Sequence, residues 1–568
     1  MKATVIDASE LAEIDALVGT PTKDMAFGGA YDGAARFDKN ISTWMPPLQS
    51  ADADLLPDKE LLDARSRDVA RNDAYVQGGA TTHKDGIVGA LYALNAKPNV
   101  EVLGSADGFF TEEWATNFQK EAEALFTIWA ESPRKWVDAS GQNTFTSLIR
   151  LTTGVYTFAG EAIAAVEWIN ERGRDFKTAI QMIDTDRLMQ PITAQMNPLI
   201  RGGIKHDRRG RHLSYFIRVE HPNDYRSLTF TGNSPFAYKE VKAEKPWGRK
   251  QVIYIREQLR VDQTRAISEI VSALKEIHIT RKFRDVTLQN AVVNAMYAAS
   301  IESDLPPEAV YSQLGSGNIG QSVADYASAF LGAVSEYVGS SKHMKLDGVK
   351  VPHLFPGTKF KLHPAGNPGG VGQDFEAGLL RYIAASLNIS YEELARDFTK
   401  TNYSSARAAM ALTWRFMQSR KKLVADEMAN AIYRLWLEEA INMGRLKTFP
   451  AAKAGMLYTD GVLNLMFDAL SSCDWIGAAR GQIDELKETQ AAVLRIKYGL
   501  STHEDELQRL GKDYRRVYAQ LQREMNEREE RGIVLYEDNS VNAASGTTRE
   551  ADGDGNKDSS GDPKDAEA

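Results

Sequence analysis

The chain has 568 residues, of which 43% are hydrophobic and 26% are charged, and its net charge is −9. This length exceeds what one hydrophobic core usually supports, so several subdomains are expected. The single cysteine, Cys473, excludes an internal disulfide and a zinc site made of several cysteines, and no stretch reaches the ~18 to 20 apolar residues of a membrane span.

The first 58 residues predict a short helix followed by an extended arm. Residues 1–20 carry apolar positions at helical spacing and acidic residues throughout, so we expect a helix there and no signal peptide. The following stretch is rich in Gly, Pro and Asp, and its aromatic residues Tyr31, Phe37 and Trp44 are possible anchors. The pattern leaves open whether they pack on their own subunit or on a neighbouring one.

Helical periodicity dominates the next 110 residues. Three segments are predicted: a helix from Lys59 interrupted at Gly78 and Gly79, a helix over 111–132 stopped by Pro133, and one or two helices over 144–168 broken near Gly154 and Gly160. The charged cluster of Arg65, Arg67, Asp68 and Arg71 in the first of them is typical of a solvated face with local ion pairs.

Strand patterns then begin. Alternating apolar residues predict strands at 179–183, 214–219 and 251–255, with glycine turns between them. The first ~260 residues are therefore predicted to be α+β, in a chain that is predominantly helical.

A segment rich in Gly and Pro lies between two predicted helical stretches. Residues 266–301 contain no Gly or Pro and predict a long helix, with a break near Thr280. Residues 304–372 are dense in Gly and Pro, and predict a helix at 323–337 and a hairpin from 350–355 and 358–363. Long helices on both sides indicate a projection carried on a helical stalk.

The following segment predicts two helices joined by a polar loop. Apolar residues from Phe375 to Leu387 recur at helical spacing, and Asn388 can end that helix. The loop runs from Ser390 to Tyr403. Ser404 or Ser405 can cap the second helix, which has no Gly or Pro before Gly444 and would span roughly 60 Å.

The last 120 residues end in a polar tail. After mixed signals over 448–475, helices are predicted at 484–497, 501–511 and 513–531, the second beginning with a capping box from Ser501 to Glu504. From Val541 onwards the chain has almost no large apolar residue, which predicts disorder.

The sequence contains little that indicates catalysis. Gly315 to Gly320 matches G-x-G-x-x-G, but it lacks a preceding strand and a βαβ unit, so a flexible loop is favoured over a dinucleotide site. No phosphate-binding loop is present, and His343, His353 and His363 do not have zinc-site spacing. The basic run Arg420 to Lys422 is typical of a solvated face. No catalytic residue, metal or cofactor is predicted.

Irregular motifs resemble those of one family, the portal proteins of lambda-type tailed bacteriophages. The strongest are Phe375 onwards, Thr401 to Arg407, Trp414 to Phe416 and Trp436 to Glu439. Further similar motifs are Ala30 to Gly33 with Trp44, Ala64 to Asp68 with Arg71 and Asn72, Met182 to Leu188, and Arg260, Gln263 and Arg265. The chain departs from the family pattern at Ala266, where a Gly is expected, and residues 304–372 contain no matching motif.

The resemblance implies a ring, typically of twelve subunits, at one capsid vertex of the virion, around a channel for genome packaging and ejection. It implies the following regions: an arm (1–50), a wing (51–260), two stem helices (261–303 and 373–389), a clip (304–372), a tunnel loop (390–403), a long tunnel and wing helix (404–445), a helical crown (446–536) and an acidic tail (537–568). Thr399, Lys400, Thr401 and Asn402 are expected to line the channel.

The resemblance also implies partners: further copies of the chain, double-stranded DNA, the terminase large subunit, a head-tail connector, and major capsid and scaffold proteins, with no membrane. Assembly is expected in the host cytoplasm. The ATP-hydrolysing motor is a separate protein in the family, so no enzymatic activity is expected. The acidic net charge suits DNA that passes close without being held.

Two other readings remain open at this point. One is a non-viral helical scaffold that oligomerises without nucleic acid. The other is a nucleotide-binding enzyme that uses the Gly315 to Gly320 motif. Particle size and dinucleotide binding distinguish them.

Overall fold

The structure is a computed structural model, and it describes residues 34, 39–221, 237–296, 328, 343–346, 349–352, 368–399, 401–481 and 484–533. The predicted helix within 1–20, the aromatics Tyr31 and Phe37, the Gly315 to Gly320 motif, nearly all of the helix at 323–337, Lys400 and the tail from Val541 lie outside these residues. The chain divides into two compact units, 1–485 and 486–568.

The first unit contains twelve α-helices among its described residues. They are α1 (Ala51–Leu55), α2 (Lys59–Asn72), α3 (Ala74–Ile87), α4 (Val100–Ala106), α5 (Glu112–Ala130), α6 (Phe145–Ala159), α7 (Leu274–Met296), α8 (Pro368–Ser386), α9 (Tyr391–Ala395), α10 (Tyr403–Arg420), α11 (Asp426–Asn442) and α12 (Leu465–Leu470).

Thirteen short strands accompany them in the same part of the chain. They are β1 (Ala93–Ala96), β2 (Glu161–Trp168), β3 (Thr178–Ile183), β4 (Ile200–Arg201), β5 (Ile204–His206), β6 (His212–Arg218), β7 (Tyr238–Lys242), β8 (Val252–Arg256), β9 (His343–Leu346), β10 (Val349–Pro352), β11 (Tyr458–Thr459), β12 (Val462–Leu463) and β13 (Cys473–Ile476). The predicted strands correspond to β3, β6 and β8.

The strands form antiparallel sheets. A three-stranded sheet has the order β3-β2-β8 and a four-stranded sheet the order β4-β5-β6-β7, while β1 pairs with β13, β9 with β10, and β11 with β12. The pairing of β1 with β13 joins residues 383 positions apart in sequence, Ala93 with Ile476. Residues 446–481 therefore pack with the first unit.

The prediction of helix over 144–168 is wrong in its second half. Helix α6 ends at Gly160, whose φ is +73°, and β2 follows as the central strand of its sheet. A side chain at Gly160 would collide with the Ile267 carbonyl, because a Cβ there would lie 2.0 Å from its oxygen. The alanine-rich sequence of β2 favours helix locally, but pairing on both edges overrides that preference.

The predicted interruption at Gly78 and Gly79 is also wrong. The helix breaks at Asp73, whose carboxylate accepts hydrogen bonds from the Tyr75 and Val76 N–H groups and caps α3. Both glycines lie inside α3. Gly79 allows close packing instead, because a Cβ there would lie 2.7 Å from the Leu387 side chain.

The arginine cluster of α2 is only partly a solvated face. Arg67 is half-buried and its guanidinium binds the carboxylates of Asp184 and Asp186, far along the chain. Asp68 pairs with Arg281 of α7 at 3.4 Å. The ion pairs predicted to be local are therefore tertiary contacts.

The core of the first unit is aromatic. Buried side chains from α5, α6, α11 and β13 meet in one cluster, comprising Phe126, Trp129, Phe145, Tyr433, Trp436 and Trp475. Ring centroids lie 5.2 to 6.4 Å apart, the range in which edge-to-face and offset pairs add to burial. The cluster fastens α11 to the α+β part of the unit.

Helices α7 and α8 run antiparallel. Phe283 faces Phe375 with ring centroids 5.3 Å apart, and Asn388 donates to the Glu269 carboxylate at 3.3 Å near the opposite end. The predicted helix 266–301 begins with a 3-10 turn, Glu269–Ala273, and has no break at Thr280, whose hydroxyl donates to the Glu276 carbonyl.

The structure describes a hairpin between these helices that the sequence did not predict. Strand β10, which includes Lys350, pairs with the preceding strand β9. The expected partner, 358–363, lies outside the described residues.

The predicted long helix is present with one irregularity. Helices α10 and α11 are continuous through a π-helical turn, Lys421–Ala425. The whole segment spans about 60 Å at ~1.5 Å per residue.

The second unit is described as three helices, α13 (Glu485–Lys497), α14 (His503–Arg509) and α15 (Tyr514–Arg531). The capping box of α14 uses Thr502 and Asp505, which corrects the predicted pair Ser501 and Glu504. Gly532 ends α15 with a φ of +63°.

Candidate functional site

The candidate site is the connection between α8 and α10. Asn388 has a φ of +54° and ends the first helical stretch, as predicted. The Ser390 side chain accepts a hydrogen bond from the Glu393 N–H, and the Glu393 carboxylate accepts one from the Ser390 N–H. This capping box starts α9. The segment predicted as a loop from Ser390 to Tyr403 therefore contains a helical turn.

The second half of the connection is a turn held by its own hydrogen bonds. Arg396 adopts the left-handed conformation with a φ of +53° and ends α9. The Asp397 carboxylate then accepts from the Thr399 N–H at 3.0 Å and from its hydroxyl at 2.6 Å. The Thr401 N–H donates to the Phe398 carbonyl at 3.1 Å.

The predicted site residues have different surroundings. Thr399 is exposed, whereas Thr401 is half-buried and its hydroxyl lies 3.4 Å from the Glu392 carboxylate. Asn402 is the N-cap of α10, accepting from the Ser405 N–H at 2.8 Å, which corrects the expected cap at Ser404 or Ser405. Lys400 lies outside the described residues. The described three share one turn of chain.

The connection is fastened to its two flanking helices. The Thr413 hydroxyl of α10 donates to the Glu393 carboxylate at 2.6 Å, which links α9 to the following helix. The guanidinium of Arg381, on α8, lies 5.0 Å from the centre of the Tyr391 ring. The loop therefore projects from a short, capped platform.

A buried histidine anchors the beginning of the connection. His83 of α3 donates from Nε2 to the Leu387 carbonyl at 2.8 Å. Burial lowers the pKa of His83 to about 4, so its ring is neutral near pH 7. A neutral imidazole satisfies the carbonyl at the end of the helical stretch without placing a charge in the core.

Arg420, at the end of α10 just before the π-helical turn, anchors the same region, because Asn388 bonds the Glu269 carboxylate that Arg420 binds. Its guanidinium donates to the Glu257 carboxylate at 2.5 Å and binds Glu269. Burial raises the pKa of Glu269, although Arg420 opposes that shift. The prediction that residues 420–422 form a solvated face is therefore wrong for Arg420. It is also wrong for Lys421, whose ammonium group lies 2.9 Å from the Asp426 carboxylate. It is right for Lys422, whose side chain is 76% exposed.

A second buried network holds the start of the stalk to the central sheet. Arg265 donates to the Glu161 carboxylate at 2.5 Å and to the Leu188 carbonyl at 2.6 Å. The Lys59 ammonium group lies 3.3 Å from the Glu161 carboxylate, and the Tyr254 hydroxyl donates a hydrogen bond to the same carboxylate. Although burial alone would raise the pKa of Glu161, Arg265 and Lys59 lower it to about 2.

The sequence motif of Arg260, Gln263 and Arg265 belongs to this network. The Gln263 side chain accepts from the Leu259 and Arg260 N–H groups, shaping the turn before Arg265. The Ala266 N–H donates to Glu161 at 3.1 Å, so the residue found in place of the expected Gly keeps a backbone contact. Sequence reasoning missed Glu161 because it lay in a segment assigned to a helix.

Two other places in the described chain were candidates for a binding site, and in both the polar side chains already bind one another. Among the described residues, the single group that could hold a metal is Asp184, Asp186 and His221, and Arg67 already binds both carboxylates. A cleft of about 790 Å³ lies beside Arg249, whose guanidinium is satisfied by Glu438 and Thr178. No helix in the described part of the chain is long and apolar enough to cross a bilayer.

Comparison with known proteins agrees with the sequence motifs. The family profile described as phage portal protein, lambda family, matches residues 37–421. Portal protein B of Escherichia phage lambda is 33% identical over 507 residues, covering 89% of this chain and 91% of that protein. The portal protein of Escherichia phage N15 is 33% identical over 524 residues, covering 92% and 94%.

Two further matches have lower sequence identity. A probable portal protein of Halomonas phage phiHAP-1 is 21% identical over 518 residues, covering 88% of this chain and 87% of that protein. Among solved structures, the neck of an empty gene transfer agent particle is similar at 11% identity with a TM-score of 0.34, covering 79% of this chain and 93% of that chain.

Proposed function

The chain belongs to the lambda family of phage portal proteins, and from this membership we propose that it forms a twelve-membered ring whose channel passes double-stranded DNA. Portal proteins are ring oligomers of the head-tail neck of the virion. The observation that carries the proposal is the 33% identity to the lambda portal over 507 residues, which covers 89% of this chain. The ring order and the residue roles are part of the proposal.

We assign the regions of the portal as follows. Residues 51–260 form the wing, α7 and α8 the stem, 304–372 the clip, 390–403 the tunnel loop and 404–445 the long helix. The crown begins near residue 485 in this assignment, because β13 pairs with β1 of the wing and residues 446–481 pack in the first unit. Residues 1–50 are the arm and 537–568 the acidic tail.

The tunnel loop narrows the channel. Thr399, Lys400, Thr401 and Asn402 line it, and Lys400 contacts phosphates. The capped helix α9 and the anchors at His83 and Arg420 support this role, because they fix the base from which the loop projects. The side chains of Thr399, Thr401 and Asn402 each bond within the connection, which fixes the shape of the loop that presents them.

The charge of the ring keeps DNA mobile. Twelve copies at −9 each carry about −108 charges. Most of the channel surface repels a passing duplex, and the duplex contacts positive charges only at the level of the tunnel loop. A single ring of lysines is weak enough to release each phosphate as the duplex advances, because each lysine neutralises one phosphate and releases only about one counterion.

The arm reaches a neighbouring copy. Trp44 is 73% exposed in the single chain, and Met45 and Leu48 are exposed beside it. Contiguous exposed apolar residues indicate an interaction surface. This favours the neighbouring subunit as the anchor of the arm, one of the two readings that the sequence allowed.

The finer partners follow from the same assignment. The clip binds the terminase large subunit during packaging and the head-tail connector afterwards, and the wing binds major capsid and scaffold proteins. Assembly occurs in the host cytoplasm before the ring joins the capsid vertex.

The ring is tested by electron microscopy and mass measurement of the purified protein. A dodecamer of 62.9 kDa chains has a mass of about 750 kDa and shows a central hole. Monomers at micromolar concentration, without rings in assembled heads, would overturn the proposal.

The tunnel-loop role is tested with Lys400→Ala in an assembly that packages DNA. We expect normal rings and reduced retention of packaged DNA. The matched control is Lys422→Ala, which removes an exposed lysine from the π-helical turn, away from the loop. Wild-type retention by Lys400→Ala rings would refute the role of the lysine and leave the ring intact.

A further inference from the structure

One end of the four-stranded sheet is strongly basic in a chain that is acidic overall. Residues 205–212 and 242–250 contain eight Lys and Arg against two Asp and Glu, a net charge of +6, whereas the whole chain carries −9. The first range is the β5–β6 hairpin, and the second runs from the end of β7 to just before β8. We call these two ranges the basic end. The channel contact at Lys400 uses none of their cations.

The two ranges meet because of the strand order. Strands β5, β6 and β7 are adjacent and antiparallel, so the chain leaves β5 and β7 at the same end of the sheet. Across that end the Arg211 guanidinium lies 2.7 Å from the Glu244 carboxylate, and the Ala243 N–H donates to the Leu213 carbonyl at 2.9 Å. Neighbouring strands lie ~4.8 Å apart, so the cations of both ranges belong to one patch of surface.

The turn between β5 and β6 has a fixed shape. The Asp207 carboxylate accepts hydrogen bonds from the Arg209 and Arg211 N–H groups, both at 2.8 Å. Gly210 takes a φ of +85°, a conformation that a side chain would strain. The hydrogen bonds from the backbone lower the pKa of Asp207. The one acid of this turn therefore binds backbone N–H groups rather than a guanidinium.

The arginines at the tip of this turn, Arg208 and Arg209, are exposed and lack an acidic partner. Among the residues that the structure describes, no carboxylate lies within 4.0 Å of either guanidinium, although Arg211 is 68% exposed and is paired with Glu244. Three lysines of the second range are exposed and unpaired by the same measure, namely Lys242, Lys245 and Lys250. A solvated face usually mixes both signs, whereas unpaired cations on one rigid surface produce a positive local potential.

A phosphate backbone fits this surface better than an acidic peptide does. A guanidinium matches a phosphate with two parallel N–H donors, and each cation that neutralises a phosphate releases a counterion. An acidic peptide would also need apolar contacts to be held in one register. The cleft beside the patch could supply them, but its wall includes the carboxylates of Glu167, Glu438 and Glu439, which disfavour an acidic segment.

We propose that the basic end binds the phosphate backbone of duplex DNA on the outside of the ring, at a site separate from the tunnel loop. The inference rests on the proposed function, because a ring at the vertex of a DNA-filled head exposes its wing, which contains this sheet, to the packaged genome. Contacts to phosphates carry no sequence information, so the binding is independent of sequence. It holds DNA against the wing, whereas the channel lets DNA pass.

A closed circular duplex separates this contact from the channel, because a circle has no end that could thread the ring. Wild-type rings, titrated with the labelled circle at a series of salt concentrations, should bind it with an affinity that falls as salt rises. The double variant Arg208→Gln with Arg209→Gln should lose at least ~tenfold in affinity at low salt, and its salt slope should fall by about two. Its rings and thermal midpoint should match wild type, because both side chains are exposed.

Two controls isolate the hairpin. Arg65→Gln with Arg71→Gln makes the same change of charge at two exposed arginines of α2, and it should keep the affinity and the salt slope of wild type. Lys400→Ala should also keep the binding of the circle, because that lysine is assigned to the channel. Equal losses in the two arginine double variants would overturn the inference, since net charge and not the basic end would then govern binding.

The remaining outcomes are equally distinct. Unchanged affinity and salt slope in the Arg208→Gln and Arg209→Gln variant would overturn the contact. Binding of polyglutamate by wild-type rings that do not bind the circle would overturn DNA as the partner and indicate an acidic protein. A wild-type chain that forms no rings would instead overturn the proposed function, and the same titration of single chains with the circle would still decide whether the basic end binds phosphates.

Discussion

The two units of this protein reach order by different means. In the first unit, helices and sheets enclose a continuous cluster of buried aromatic and aliphatic side chains. In the second, no apolar side chain of residues 484–533 is buried, and Glu506 is the one buried residue of its helices. Caps and ion pairs define the second unit, such as the bidentate pair of Arg495 with Glu506 at 2.8 Å.

The difference indicates where each unit gets its stability. The first unit buries its own apolar side chains, so its stability does not depend on contacts with another copy. Helix α15 carries Tyr514, Tyr518, Leu521 and Met525 at helical spacing, an apolar stripe that the isolated unit leaves unburied. The other two helices of the unit have 13 and 7 residues, a length that is marginal for an isolated helix in water. We therefore expect the ring to supply the burial that the second unit lacks.

The largest effect is expected in the aromatic core. Trp436→Ala removes a fully buried ring that packs against Phe126, Trp129 and Tyr433. The free energy of unfolding of the isolated subunit should fall by about 3 to 5 kcal/mol, measured by urea denaturation followed by circular dichroism. Trp44→Ala, the same deletion at an exposed site, is the control and should change it by less than about 0.5 kcal/mol. Equal losses would contradict the comparison.

A somewhat smaller effect is expected from the buried ion network. Glu161→Gln leaves Arg265 and Lys59 without their carboxylate, which should cost about 3 kcal/mol near pH 7. The pKa of Glu161 is lowered to about 2 in the folded chain. Its contribution is therefore complete above the unfolded pKa of ~4.3 and is lost as pH falls toward 2.

The pH dependence checks that assignment. Between about pH 5 and pH 2 the stability of the wild-type chain should fall more steeply than that of Glu161→Gln. Glu171→Gln, which removes an exposed carboxylate, should retain the wild-type slope. Parallel slopes for wild type and Glu161→Gln would show that the carboxylate is not held ionised by its partners.

The smallest effect is expected in the second unit. Leu521→Ala should change the free energy of unfolding of the isolated subunit by no more than about 0.5 kcal/mol, because the side chain is already exposed. In assembled rings the same change should lower the thermal midpoint, and the neighbouring Gln522→Ala should not. A large loss in the isolated subunit would mean that the second unit has a core of its own.

Local pattern was sufficient for much of the fold. The helices over 112–130, 368–386 and 403–442, the end of α8 at Asn388 and the strands β3, β6 and β8 correspond to predicted elements. The family was also evident from its motifs, and membership decides against the scaffold and nucleotide-enzyme readings. Periodicity and turn residues act within a few positions, so one chain contains their information.

Strand β2 shows where local pattern failed. Its Glu-Ala-Ile-Ala-Ala-Val sequence favours a helix, and only pairing with β3 and β8 makes it a central strand. The caps also shifted: Asn402 replaces Ser404 or Ser405, and Thr502 replaces Ser501. Several polar residues in a row can each cap a helix, and packing selects among them.

By itself the sequence determined the helical framework, the polar loop between α8 and α10 and the family, because these depend on residue order over short stretches. Only the tertiary structure decided that Arg265 and Arg420 are buried ion-pair anchors, since their partners Glu161, Glu257 and Glu269 lie 104 to 163 positions away. Long-range pairing of charges depends on how layers pack, which no local pattern encodes.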